Sequence, residues 1–218
     1  MKTKLITIVL VLTGTWCGFS QGFVNLNFES ANVSGYSPLD FVPIANALPG
    51  WSASEGIIVY DGISTGGAFI SIVDTNAIFR SMGPLQGRYS VWLFGAGGVS
   101  ETISQTGLVP TGMASLLFAA SASSATFIVT LGGQILNVIP MQIFSNYTLY
   151  GADISPFAGQ VATLSFTEPP APIGQPGGDP NMFELDSIRF SSSPAPEPSA
   201  LALATLGTLL FGFRCRRK

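Results

Sequence analysis

Between its two ends this chain is a succession of short apolar segments cut apart by breakers, and that pattern admits few folds. Val24, Leu26 and Phe28 alternate with Asn25 and Asn27, and residues 56–60 follow a Pro-Gly-Trp turn. Residues 69–73, 89–94, 99–104, 115–119, 126–131, 134–139, 147–150, 161–166 and 183–190 continue the series. They are rich in Val, Ile, Phe, Tyr and Thr, whose branched or flat side chains suit a pleated surface, and Gly, Pro, Asn and Ser separate them. No part of the body sustains a helical period, and no repeat suggests a solenoid. The pattern predicts an all-β fold, a single β-sandwich over residues 23–191. The 25 glycines and 15 prolines supply its turns. Residues 169–180 hold too many breakers for a strand and are expected to form an exposed loop before the last one. Gly95-Ala96-Gly97-Gly98 is expected to be a hairpin turn, because no strand-to-helix context makes it a phosphate cradle.

The ends have a different character. Lys2 and Lys4 precede the apolar residues 5–12, and small residues follow toward Gly18 and Ser20. Residues 1–22 are therefore expected to be a secretory signal peptide. Cys17 does not make this a lipoprotein signal, because Gly14-Thr15-Trp16 lacks the small residues needed just before the cysteine. At the other end, Ser191-Ser192-Ser193 and the prolines after it form a linker, residues 192–198. Residues 199–213 carry no charge, and Arg214-Cys215-Arg216-Arg217-Lys218 closes the chain.

As a helix those fifteen apolar residues reach about 22 Å, short of a bilayer core of roughly 30 Å. The basic stub stays on the cytoplasmic side, leaving everything before Pro194 exported. An ordinary membrane anchor gives the same topology. Pro196-Glu197-Pro198, the apolar segment and Arg214, Arg216 and Arg217, in that order, resemble the PEP-CTERM sorting signal of exported bacterial proteins. That resemblance implies a Gram-negative, polysaccharide-producing cell and an exosortase-type membrane protease as partner. It also implies an inner-membrane intermediate and a final place at the cell surface or in the extracellular matrix.

Charge narrows the function of the body. Six of the nine basic residues lie in the ends, leaving Arg80, Arg88 and Arg189 against eleven acids, a net charge of −8. So few cations exclude a nucleic-acid partner and suit divalent cations or neutral polymers. There is no histidine, and both cysteines, Cys17 and Cys215, sit in the ends. A disulfide, a His/Cys zinc site, a Ser-His-Asp triad and a Cys-His pair are all excluded from the exported part. Only carboxylate chemistry is left for catalysis.

Asn27-Phe28-Glu29, with Leu48-Pro49-Gly50-Trp51 some twenty residues on, resembles the opening of galactose-binding-like jelly rolls. Tyr150 to Ser155, Ala158-Gly159-Gln160 and Leu164-Ser165-Phe166 are similar to their penultimate strands, and Leu185-Asp186-Ser187-Ile188-Arg189-Phe190 to the closing one. The resemblance spans most of residues 23–191 and implies a jelly roll of the carbohydrate-binding-module type. Several such domains hold one structural calcium ion between first and last strands. Glu29 and Asp186 fall on the matching positions, with backbone carbonyls to complete the six to eight oxygens that calcium takes. In the opposing reading Glu29 caps a turn and Asp186 pairs with a donor such as Arg189.

Candidate glycan platforms are Tyr36, Trp51, Tyr60, Tyr89, Trp92, Tyr147 and Tyr150. Trp92 lies within an apolar run and Trp51 follows the family's packing pattern, so Tyr36, in a Ser-Gly-Tyr-Ser-Pro loop, is the ring expected to be exposed. A glycosidase needs two carboxylates across a cleft. Asp61, Asp74 and Glu101 are candidates, but nothing marks a pair, and scattered acids read as solvated surface groups. The sequence thus favours a non-catalytic exported surface or matrix protein, handled through its tail. A carbohydrate-binding module for a cell-surface or exported polysaccharide is the alternative, and a carboxylate-dependent glycan-active enzyme the second.

Overall fold

A computed structural model describes residues 22–62, 67–76, 83–122, 127–170 and 181–195. The expected signal peptide apart from Gly22, all but the first two residues of the sorting tail, and most of the loop at 169–180 lie outside them. The strands are β1 (Phe41–Pro43), β2 (Ser52–Ala53), β3 (Ile57–Tyr60), β4 (Phe69–Asp74), β5 (Tyr89–Gly95) and β6 (Glu101–Leu108). They continue with β7 (Ser115–Ala122), β8 (Ile128–Leu131), β9 (Gln134–Ile135), β10 (Ile139–Ile143), β11 (Thr148–Asp153), β12 (Val161–Glu168) and β13 (Asn181–Ser191). The one described α-helix, α1, is a single turn, Ile44–Ala47.

The strands make two sheets. One has eight strands in the order β1-β3-β4-β5-β13-β7-β11-β10, and the other five in the order β2-β6-β12-β8-β9. All pairings are antiparallel except β3 with β4. The sheets enclose one main core, as the all-β sandwich expectation requires. Alternation explains it best in β6 and β12, where Glu101, Ile103 and Gln105 or Ala162, Leu164 and Phe166 point inward and the residues between them outward. An aromatic chain runs through the middle. Phe28 lies 5.7 Å from Trp51, Trp51 6.4 Å from Phe166, and Phe166 5.2 Å from Phe118, ring centre to ring centre.

β4 and β5 are buried on both faces. Their inward residues Ile70, Ile72, Val91 and Leu93 join the main core, while Phe69, Val73, Trp92 and Phe94 form a second cluster on the opposite face. Trp92 is a packing residue, as expected, but in this second cluster. Gly97 and Gly98 take positive φ in the tight turn that links Ala96 to Val99, so the expected hairpin is present.

Two strand expectations need correction. Residues 24–28 form no strand: Asn25 and Phe28 have positive φ, and only Gly22 makes a bridge, with Leu108. The alternation there reflects burial of Phe28 without a neighbouring backbone to pair with. The Gln105 side chain takes that place, accepting from the Val24 N–H at 2.6 Å and donating to the Val24 carbonyl at 3.0 Å. The second correction is at residues 134–139, which split between sheets. β9 ends at Ile135 in the small sheet and β10 begins at Ile139 at the edge of the large one.

Candidate functional site

β13 lies between β5 and β7 in the middle of the large sheet, and a bulge interrupts its pairing with β7 between Asp186 and Arg189. Ser187, in the bulge, has φ 50°. The extra residue aims the buried Asp186 carboxylate at the segment before β5, where Oδ2 accepts the Gln86 N–H at 2.8 Å. Its Oδ1 accepts the Ser187 N–H at 2.5 Å. Glu29 approaches the same segment from the N-terminal side. Its Oε1 accepts the Arg88 N–H at 2.8 Å and the Tyr89 N–H at 3.2 Å. The two acids therefore clasp residues 86–89 from either side.

Gly87, at φ 61°, is what lets the clasp close. A Cβ there would collide with Glu29 Oε1. Burial pushes the Asp186 carboxyl up to about 7; the Glu29 charge adds to the rise, and the Gln86 and Ser187 hydrogen bonds oppose it. Two residues earlier on β13, Glu184 is also buried and accepts from the Ser90 hydroxyl at 2.5 Å. Burial, reinforced by the Asp186 charge, lifts it to about 8.

The sequence placed a calcium ion on Glu29 and Asp186, and the structure brings both to one short segment. Asp186 binds backbone amides rather than Arg189. A dication beside this acid pair would favour the ionised form of Asp186 that burial disfavours. The pair fits the charge that calcium needs, but no group of three or more acidic, His or Cys residues occurs among the described residues, so most ligands would have to be backbone oxygens or water.

Gln86 extends the site outward. Its Nε2 donates to the Tyr147 hydroxyl at 2.6 Å, and its Oε1 accepts from the Ser187 hydroxyl at 2.7 Å. Tyr147 stacks on Phe144 at 4.6 Å between centroids, in the turn joining β10 to β11. The two rings border a shallow depression of about 230 Å³, floored by Ser121, Asn146 and Tyr150. A larger depression, about 470 Å³, lies on the small sheet among Thr106, Thr130, Thr163 and Ser165 and holds no ring.

The other expected platforms do not stand free. Trp51, Tyr60, Tyr89 and Trp92 are buried. Tyr36 is half-buried against the main core, so the exposed ring expected in its loop is not there. Phe144 was not among the expected platforms, all of which were Trp or Tyr. The candidate acids are not solvated either. Asp61, Asp74 and Glu101 are all buried. Asp74 accepts from the Tyr60 hydroxyl at 2.9 Å and lies 3.9 Å from Arg88, and Glu101 accepts from the Ser54 hydroxyl.

Residues 194–218 match the PEP-CTERM protein-sorting motif. No curated protein matches the chain. Among solved structures it is similar to TmCBM61 in complex with beta-1,4-galactotriose, at 16% identity and TM-score 0.44, covering 78% of this chain and 98% of that one. It is also similar to the family 11 carbohydrate-binding module from Clostridium thermocellum, at 11% identity and TM-score 0.34, over 72% and 96% of the two chains. A third likeness, to the enzymatically active domain of bacteriophage CBA120 tailspike protein 4, has 11% identity and TM-score 0.43 and spans 78% of this chain but 21% of that one. The sorting motif marks an exported, membrane-passing protein of the Gram-negative type, processed by an exosortase. The described residues form a two-sheet β-sandwich, and the chain ends in a PEP-CTERM sorting signal.

Proposed function

We propose that this is a non-catalytic surface or extracellular-matrix protein, carried out by its signal peptide and handed to an exosortase-type membrane protease through its tail. The match of residues 194–218 to the sorting motif carries the reading. An apolar segment of fifteen residues, too short to span comfortably and followed by arginines, holds the exported sandwich at the inner membrane until the tail is cut. Neither of the two depressions described above is lined by Asp61, Asp74 or Glu101, which favours a non-catalytic role. The test is the intact mass of the protein recovered from its host. Loss of the residues after the linker is expected, and a mature protein that keeps Lys218 would sink the processing step.

A second reading, glycan binding, is favoured by one observation. Phe144 and Tyr147 stack beside a polar depression, and flat rings beside polar groups are what sugar faces pack on. In this reading a calcium ion held by Glu29 and Asp186 acts at a distance, steadying Gln86 and through it Tyr147. On an array of neutral glycans the binding seen with the parent should fall about tenfold or more in Phe144→Ala, equivalent to roughly 1.4 kcal/mol. An array blank for the parent protein, with and without calcium, would count decisively against it.

A further inference from the structure

The two sheets have four edges, and three are blunted by brevity. β2 and β9 have two residues each, and β1 has three and ends on Pro43. The fourth, β10, has five residues and among the described residues pairs with β11 alone. Pro140 and a bulge between Pro140 and Gln142 weaken its first half. Its second half keeps backbone donors and acceptors on the open side. Natural sheet edges are blunted by proline, a bulge, a lysine or an inward charge. β10 has the first two in its first half and no charge in its second.

Its surroundings point the same way. Residues 102–152, 51 in succession, contain no Asp, Glu, Lys or Arg, although the exported part as a whole is strongly acidic. This stretch supplies β10, β7, β8, β9 and all of β11 except Asp153 at its far end, beyond Gly151, the partner of Ile139. Exposed aliphatic side chains gather on this flank. Ile143 is 80% exposed and Ile135, on the neighbouring edge β9, is 75% exposed, with Met141 beside them. β9 and β10 are joined by three residues, so both edges lie on one side of the sandwich.

We propose that β10 is the seam of a homodimer, in which two copies pair their β10 edges antiparallel and continue the eight-stranded sheet across a twofold axis. An antiparallel edge is self-complementary, since each strand offers the donors and acceptors the other needs. Exposed Ile135, Met141 and Ile143 side chains offer no hydrogen-bonding atom to a sugar and fit a protein partner. Charge selects which protein: two strongly acidic bodies repel except where they meet through a neutral flank, and the flank around β10 is neutral.

Sedimentation equilibrium of the protein as its host makes it, in density-matched detergent, tests this. The parent is expected to dimerise with rising concentration. Ile143→Lys and Met141→Lys should each weaken dimerisation at least about tenfold while the melting temperature of the dilute monomer stays unchanged, because the twofold axis buries two uncompensated lysines at the seam. Phe41→Lys, a control on the opposite edge at β1, should leave it as it was. A parent that stays monomeric at every concentration overturns the proposal, and that result would leave β10 open to a strand from a different protein. A dimer that survives Ile143→Lys, or is lost in Phe41→Lys instead, overturns it as well.

Discussion

Gln105 does with a side chain what a neighbouring strand would do with its backbone. Its amide matches both the N–H and the carbonyl of Val24, which holds the N-terminal segment against β6. Gln105→Ala strips both partners from a partly buried backbone, and should cost about 1–3 kcal/mol in a urea titration. Glu101, in the same strand, gives a pH signature. Burial raises its carboxyl above the ordinary 4.5; the Glu55 charge adds to this and the Ser54 hydrogen bond opposes it. The folded state then holds this proton more tightly than the unfolded chain. Stability is full below the ordinary value and falls as pH rises through it. Melting curves from about pH 4 to 8 should show this decline, and Glu101→Gln should flatten it. An identical pH profile in that variant would refute the assignment. None of this was legible in the sequence, where Gln and Glu at inward positions of an alternating strand read as errors of pattern.

At the scale of elements, legibility followed the number of covered faces. β6 and β12 each have one wet face, so period two is plain in their sequences. Their outward pairs Thr102–Thr167 and Thr106–Thr163 share hydroxyl hydrogen bonds at 2.8 and 2.7 Å. Such pairs add little, and Thr106→Ala should cost less than about 1 kcal/mol. Phe118→Ala removes a fully buried ring that touches Phe166, Tyr150 and Phe127, and should cost roughly 3–5 kcal/mol in the same titration. β4 and β5 are covered on both faces, so they read as unbroken apolar runs with no face assigned. The segment at 24–28 misled for the opposite reason: it alternates like a strand, yet the chain there turns through positive φ to bury Phe28.

At the scale of the molecule, the two functional regions are independent in sequence. Ala195 is buried and the Ser115 hydroxyl donates to the Ser193 carbonyl at 2.7 Å, so the linker starts as part of the sandwich. Removing residues 196–218 should leave the sandwich stable and move it from the membrane fraction to the soluble one. A truncated protein still pelleting with membranes would contradict retention by the tail. If Glu29 and Asp186 hold calcium, EDTA should lower the melting temperature of the parent, and Gly87→Ala should abolish that response by displacing Glu29. A parent whose melting curve ignores EDTA would rule out a stabilising ion there.

By itself the order of residues determined the local and linear properties. Short alternation makes strands, and charge-free and basic segments at the end make a sorting tail, because each acts through its own composition. Glu29 and Asp186 were singled out only by the resemblance to galactose-binding-like jelly rolls. Only the tertiary structure decided that both acids close on residues 86–89, that Gln86 links them to Tyr147, and that β10 is left as the open edge. Those facts depend on which strands become neighbours, and strand order in a sheet is set by packing between residues far apart in the chain.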